Sequence, residues 1–386
     1  MIRIPFNKPH YTGSEVQNVL HALESRRLQG DGPFSKNAEL RLQEITGSPK
    51  VLLTSSGTDA LEMSCILGDI QPGDEVLMPS FTFVSTANAV VLRGAKTVFV
   101  DITNSTLNMD VSSLEMSRTS RSRAIIPVHY AGFSCDMTRL LDFATANKLI
   151  VIEDAAHAIG ARRGGKPLGS FGKLGAFSFH ETKNIICGEG GALAINDPEM
   201  ISRAQAIRDK GTNRRKFLAG EVDRYTWVEV GSSFLPGELS AAVLAAQLEN
   251  VCAINKLRSD LWLRYKRLLL PLQDAEKVLL PSPDSDEEGN GHIFHILSRS
   301  HSEREELRLT LLEQGIQATS HYEPLHLSPM GKKYWATHAG VRSMGLPNTE
   351  SCATRLLRLP LYPDLQEHEQ DDVVAAIFEF YKRSSN

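Results

Sequence analysis

Between residues 50 and 200 short apolar runs alternate with amphipathic stretches, and this alternation constrains the fold more than any other feature of the chain. "KVLLTSSG" reads as a strand ending in a turn, and "TDALEMSCILGDI" as a helix that starts at that turn. "DEVLMP" is a second strand, "VSTANAVVLRG" a helix and "KTVFVDI" a third strand. "RAIIPVHY" and "LIVIEDAAH" follow as strands, with the helix "DMTRLLDFATANK" between them. Strands alternating with helices at this spacing imply βαβ units, so the fold class is α/β, with a mainly parallel sheet covered on both faces. In such sheets ligands gather at the carboxyl ends of the strands.

Past residue 200 the pattern changes. A helix, "PEMISRAQAIRDKG", and a polar stretch ending "YTWVEVGSSFLPG" lead into a long helical segment, Glu238 to Leu272. The Pro-, Gly-, Asp- and Ser-rich "DAEKVLLPSPDSDEEGNGH" reads as an exposed loop. The expectation is a large α/β domain with an N-terminal arm, residues 1–245, and a smaller C-terminal α+β domain, residues 246–386. With 386 residues, 41% of them hydrophobic, the chain can build both cores, and its net charge of −4 excludes a strongly basic nucleic-acid binder.

"MIRIPFNKPHYTG" has neither the apolar stretch nor the cleavage site of a signal peptide. No window approaches the roughly 18 to 20 apolar residues of a membrane span. The five cysteines are widely spaced and form no CxxC pair. A cytoplasmic protein with no membrane or nucleic-acid partner is therefore expected. The histidines of "HIFH", His292 and His295, have no further ligands in the neighbouring sequence, so no metal is expected.

Four clusters follow strands of the large domain. "SSGTDAL" is a Ser/Gly/Thr turn opening a helix; its free backbone N–H groups suit a phosphate, although a plain N-cap has the same composition. In "PSFTFVSTAN", Phe81 and Phe83 straddle Thr82; either is a core residue or a flat platform for an aromatic ligand. In "VIEDAAHA" an apolar strand ends at Glu153 and Asp154, with His157 just beyond. Asp154 either caps a helix or, as a costly buried acid, holds a proton on a cationic ring nitrogen. In "GAFSFHETKNIICGEGGAL" Lys183 lies between a strand and clustered glycines. A surface lysine is the ordinary reading; a desolvated one is a Schiff-base amine, with Ser178 available to a phosphate and the glycines keeping the chain clear of the ligand.

A phosphate turn, an aromatic platform, a buried acid and a lysine on one sheet edge match the requirements of pyridoxal 5′-phosphate (PLP). A nicotinamide enzyme would carry GxGxxG after its first strand, and this chain does not.

The segments "SGTDAL", "PSFTFVSTANAV", "PVHYAG", "VIEDAAHAIG", "GAFSFHETKN", "GEGGAL", "HYEPLH" and "LRLPLYP" resemble the DegT/StrS family of PLP-dependent sugar-nucleotide aminotransferases. The resemblance implies the aspartate aminotransferase-like fold (fold type I). It also implies that Lys183 forms the Schiff base, Asp154 pairs with the pyridinium nitrogen, His157 bonds the ring hydroxyl and Phe83 stacks on the ring. Thr58 and Asp59 would bind the phosphate through backbone N–H groups, and Ser178 through its hydroxyl. In the family an asparagine reaches the phosphate from a neighbouring subunit; Ser233 of "GSSF" stands in that place, which implies a homodimer with shared active sites.

"SFHETKN", "RDKGTNR" and "YTWVEVGSSF" resemble the branch that makes dTDP-4-amino-4,6-dideoxygalactose from a dTDP-ketosugar and L-glutamate. His326, Lys210, Asn213 and Arg214 are candidate contacts to the sugar nucleotide, the alternative for the last three being a solvated basic loop. Related readings are the gluco epimer, a 3-keto substrate, or a non-catalytic PLP-binding regulator. A dehydratase of the same fold carries histidine at the lysine position, so Lys183 argues against it.

Overall fold

The computed structural model describes residues 2–335 and 345–383. In chain order its strands are β1 (Lys50–Thr54), β2 (Glu75–Pro79), β3 (Lys96–Val100), β4 (Ser122–Ile125) and β5 (Ile150–Asp154). A short pair, β6 (Arg162–Arg163) and β7 (Lys166–Pro167), precedes β8 (Leu174–Ser178) and β9 (Gly191–Ile195). β10 (Val278–Leu279), β11 (Glu287–Glu288), β12 (His295–Ser298) and β13 (Leu356–Arg358) follow.

A seven-stranded sheet runs β1-β9-β8-β5-β4-β2-β3. From β8 to β3 every pairing is parallel, while β9 is antiparallel to both its neighbours. The sequence reading included the other six strands and not β9. "GALAI" is short, poor in β-branched residues and follows glycines directly, so its propensity is weak; burial of all five residues between β1 and β8 decides its conformation.

Both faces of the sheet are buried, as a mainly parallel sheet requires. Leu52, Leu193 and Ile195 point to one face, into a core with the helix Gly57–Leu67. Val51, Leu53, Ala192 and Ala194 point to the other, against the helices Pro33–Thr46 and Glu238–Glu249. This is the two-residue period of a pleated strand with apolar side chains on each side.

A three-stranded antiparallel sheet, β10-β12-β13, carries the helices His301–Glu313, Pro347–Arg355 and Glu367–Arg383. Its core takes in Phe81, Tyr130 and Phe133 from the sheet-edge loops of the large part, so the two cores meet at the site described below.

Three local expectations differ from the structure. The long helix from Glu238 is broken at Asn250 (φ −111°, ψ 12°) into Glu238–Glu249 and Val251–Asp274. The N-terminal arm pairs with the smaller part, through a parallel bridge between Ile4 and Ile316. The stretch around residues 275–292 is pinned rather than free. Glu287 accepts from Ser134 Oγ (2.5 Å) and pairs with Arg163 (3.0 Å), and Asn290 is buried and donates to the His157 carbonyl (2.8 Å). Its composition signals turns, and those turns are held by buried polar bonds that composition does not encode. Among the described residues no helix is long and apolar enough to cross a membrane.

Candidate active site

β9 begins where β1 and β8 end: Gly191 stands opposite both Thr54 and Ser178. A Cβ on Gly191 would lie 2.3 Å from the Ser56 backbone, and one on Gly57 2.8 Å from Ser178 Cβ. The clustered glycines thus let the Ser56–Gly57 turn fold tightly over the strand ends, which differs from the expectation that they clear space around a ligand. Ser56 is extended (φ −157°, ψ 165°) and caps the helix by accepting the Asp59 N–H (3.0 Å). That leaves the N–H groups of Gly57 and Thr58 unmet by the helix, at its positive end. Thr58 Oγ1 and Ser85 Oγ share a hydrogen bond of 2.7 Å beside them.

These groups open onto a cleft of about 760 Å³ between the large sheet and the smaller part. Thr58, Phe83, Asp154, His157, Ser178 and Lys183 all line it. Asp59 stands behind the wall, its N–H spent on the cap and its carboxyl hydrogen-bonded to Ser55 and Ser56. Ser233 is exposed and lies outside the cleft of its own chain. Phe81 and Phe83 separate cleanly: Phe81 is 1% exposed and packs on Tyr130 and Tyr322, whereas Phe83 is 56% exposed on the cleft wall.

The two adjacent acids at the end of β5 point to opposite faces. Glu153 accepts the N–H groups of Gly169 (2.8 Å), Phe171 (2.6 Å) and Gly172 (2.7 Å) and meets His129 Nε2 at 2.7 Å, a closed structural network. Asp154 faces the cleft. Its Oδ2 accepts from Thr86 Oγ1 (2.7 Å), which meets Thr82 Oγ1 (2.8 Å), and its Oδ1 accepts the Ala156 N–H (3.2 Å). Burial raises its pKa, and the Thr86 and Ala156 bonds and the Lys183 charge oppose that rise. Burial makes the ionised form of this acid costly, and a cation in the cleft would lower that cost.

Lys183 follows a turn in which its own N–H donates to the His180 carbonyl (2.9 Å). Desolvation pushes its ammonium down to about 8, against the pull of Asp154. Roughly a tenth of the side chain is therefore free amine, the nucleophilic form, at neutral pH, far more than for an ordinary lysine with a pKa of about 10.4. When the cofactor-free protein is mixed with pyridoxal phosphate, the rate of aldehyde capture followed by absorbance is expected to rise with pH and level off just above 8. An ordinary lysine, with a pKa of about 10.4, would keep climbing through that range.

His157 is buried and receives the Ala131 N–H at Nδ1 (3.4 Å), so its own proton sits on Nε2, toward Tyr322 OH (3.2 Å). Desolvation and the Lys183 charge keep this imidazole neutral. Tyr322, His321, Arg358 and Thr86 were not singled out in the sequence. They come from the smaller part or from inside a helix, and only the fold brings them to Asp154 and His157. "HYEPLH" contains both the misjudged and the missed histidine. His321 lines the cleft, its Nδ1 2.7 Å from Tyr130 OH, whereas His326 is buried between Ser80 Oγ (2.7 Å) and Glu350 (3.1 Å) as a structural tie. Lys210 and Arg214 lie 3.7 Å from Asp209, and Asn213 bonds Arg224 and Thr226; all three stand outside the cleft of their own chain.

The N-terminal helix end, the buried acid, the neutral imidazole, the half-exposed phenyl ring and the low-pKa lysine fit what pyridoxal phosphate requires. Comparison with known proteins points the same way. Residues 9–378 match the DegT/DnrJ/EryC1/StrS aminotransferase family. The Geobacillus stearothermophilus protein named "Pleiotropic regulatory protein" is 33% identical over 372 residues, 95% of each chain. The structure of S. venezuelae DesV in complex with a ketimine intermediate superposes with a TM-score of 0.89 at 31% identity, over 98% of this chain and 99% of that one. Spr1654 from Streptococcus pneumoniae, solved in a PMP form, gives 0.89 at 27% identity over 99% and 100% of the chains.

Proposed function

The chain belongs to the DegT/DnrJ/EryC1/StrS aminotransferase family, and on that footing we propose that it is a PLP-dependent sugar aminotransferase. It moves the amino group of L-glutamate to carbon 4 of dTDP-4-keto-6-deoxy-D-glucose, giving dTDP-4-amino-4,6-dideoxygalactose for surface polysaccharide synthesis in the cytoplasm. The observation that carries catalysis is the meeting of Lys183, at a pKa of about 8, and the buried Asp154 in one cleft. The 4-keto, galacto assignment rests on the wording of "SFHETKN", "RDKGTNR" and "YTWVEVGSSF".

The cofactor, when bound, supplies an aldehyde to carry nitrogen and an electron-withdrawing ring. The residues of this chain do the rest. Gly57 and Thr58 offer N–H groups to the phosphate, and Thr58 and Ser178 their hydroxyls. Phe83 covers one ring face. Asp154, oriented by Thr86, holds a proton on the ring nitrogen. His157, held by the Ala131 N–H at Nδ1, would turn its single Nε2 proton from Tyr322 toward the ring hydroxyl. Lys183, once freed, carries a proton to and from the donor's α-carbon in one half-reaction and carbon 4 of the sugar in the other. Ser233, exposed at the end of the polar segment 209–233, would complete the phosphate site of a second copy in a homodimer.

Glutamate alone should release 2-oxoglutarate in an amount equal to the enzyme, and later addition of ketosugar should yield the amino sugar. The likeness to a protein named a pleiotropic regulatory protein favours one other reading, a PLP-binding regulator. A protein that binds pyridoxal phosphate yet takes nitrogen from no amino acid would favour that reading instead.

A further inference from the structure

The two histidines of "HIFH" part company in the structure. His295, on β12, is buried beside Tyr130, whereas His292 lines the cleft. The His292 ring packs against that of His157, with the ring centres 4.4 Å apart.

The hydrogen on His292 can be placed from backbone carbonyls, whose roles are fixed. Asn255 Nδ2 donates to the Ile159 carbonyl (2.9 Å), so the Asn255 amide oxygen faces Asn184. Asn184 Nδ2 donates to that oxygen (2.9 Å) and to the Asn290 carbonyl (2.8 Å). The Asn184 oxygen is left to meet His292 Nδ1 at 2.8 Å, where it can only accept. His292 therefore carries its hydrogen on Nδ1. Burial first, then the neighbouring His157 and the charges of Lys183 and Arg258, push its pKa well below the usual histidine range. The ring is neutral, and Nε2 keeps a bare lone pair with no hydrogen-bond partner among the described residues. His157 is the opposite case: the Ala131 N–H occupies its Nδ1 and leaves Nε2 as a donor. The two packed rings offer the cleft one donor and one acceptor.

Whatever meets this acceptor must bring a hydrogen without a positive charge, because Lys183, Arg258 and Arg358 line the same cleft. Beyond its reacting nitrogen L-glutamate brings carboxylates, which a lone pair repels. A sugar brings hydroxyls. His292 is tied to Asn184, the residue after Lys183, and feels the lysine's charge, so it stands near the reacting carbon. On a 4-keto-6-deoxy sugar carbon 5 bears the methyl group and the ring oxygen. The hydroxyl beside carbon 4 is therefore the one on carbon 3.

We propose that His292 Nε2 accepts the hydrogen of the carbon-3 hydroxyl and so selects ketosugars that carry a hydroxyl next to the carbonyl. This deepens the sugar-aminotransferase reading above and rests on it. The Asn255–Asn184 chain serves the contact by fixing the tautomer, since a ring protonated on Nε2 would present a second donor instead.

Asparagine is the informative substitution, because its amide nitrogen overlies Nδ1 and keeps the bond to Asn184 while Nε2 disappears. In His292→Asn, kcat/KM for the ketosugar half-reaction of the pyridoxamine-loaded enzyme is expected to fall about 10-fold, the upper end of one net hydrogen bond. Release of 2-oxoglutarate from L-glutamate should stay within about threefold of wild type. Wild-type enzyme should lose about 10-fold on dTDP-4-keto-3,6-dideoxy-D-glucose, a comparison that needs no variant to fold. In His292→Asn the two sugars should react within about threefold of each other, because the partner of the missing hydroxyl is already gone. Nitrogen NMR of ring-labelled protein should show His292 protonated on Nδ1, with an Nε2 signal that moves when the amino-sugar product binds. A ring that merely ties Asn184 in place would keep that signal still.

Equal use of the two sugars by wild type, an undiminished 3-deoxy penalty in His292→Asn, a hydrogen on Nε2 or an unmoved Nε2 signal would overturn the proposal. Any of these beside normal amination of the 4-ketosugar leaves the proposed function standing. A wild type that releases 2-oxoglutarate but aminates no ketosugar defeats both.

Discussion

Lys183→Ala is expected to lower amino transfer by about 10⁴-fold or more, the upper end of what a positioned acid–base contributes, because the proposed function makes the same side chain the nucleophile as well. Desolvation that holds its pKa near 8 makes both roles workable at neutral pH. The lysine contributes little to the cores, so the melting temperature of the cofactor-free protein should barely move. Small primary amines added to the variant should restore part of the proton transfer, since they enter the space the butylamine stem vacates. An unchanged rate would show that the proton moves through another group. Failure to fold would show that Lys183 holds the loop in place, a task the His180 turn and the buried Asn184 already perform.

Asp154→Asn carries the second-largest effect. Asparagine keeps the size and can still bond Thr86, but it cannot balance a cation. Truncating one partner of a buried charged pair costs about 2–5 kcal/mol, so turnover should fall about 30- to 5,000-fold. The sign for stability is opposite in the cofactor-free protein. A carboxyl whose folded pKa is raised by burial binds its proton more readily in the folded state, so its contribution to stability falls as pH rises through the carboxylate range. Removing that charge should leave the cofactor-free protein at neutral pH at least as stable as wild type by thermal melting, while the loaded enzyme loses activity. A variant that is both less stable and fully active would place the catalytic acid elsewhere.

The parts of the site legible in sequence are those that follow strands directly. Thr58, Phe83, Asp154, Ser178 and Lys183 each lie just beyond an apolar run, and a mainly parallel sheet brings the ends of such runs to one edge. Glu153 and Asp154 were harder to separate by pattern alone. Alternation says they face opposite ways, and only the backbone N–H groups of Gly169, Phe171 and Gly172 decide which one is structural. Thr86 lies inside a helix, one turn after Thr82, and reads as ordinary helix surface. Tyr322 and Arg358 belong to the far end of the chain, and their approach to His157 and Lys183 depends on how β13 and the 319–322 segment pack on the large part. His326 was misjudged for the same reason: a histidine in a polar segment looks available until Ser80 and Glu350 are seen closing on it.

The central proposal is that this cleft delivers an amino group to carbon 4 of a dTDP-linked ketosugar in the galacto configuration. It is tested most directly by incubating the protein with L-glutamate, pyridoxal phosphate and dTDP-4-keto-6-deoxy-D-glucose and determining the product's configuration by NMR. An axial amine on carbon 4, the galacto product, is the expected result. An equatorial amine or an untouched ketosugar, in the presence of normal 2-oxoglutarate release from glutamate, would contradict it.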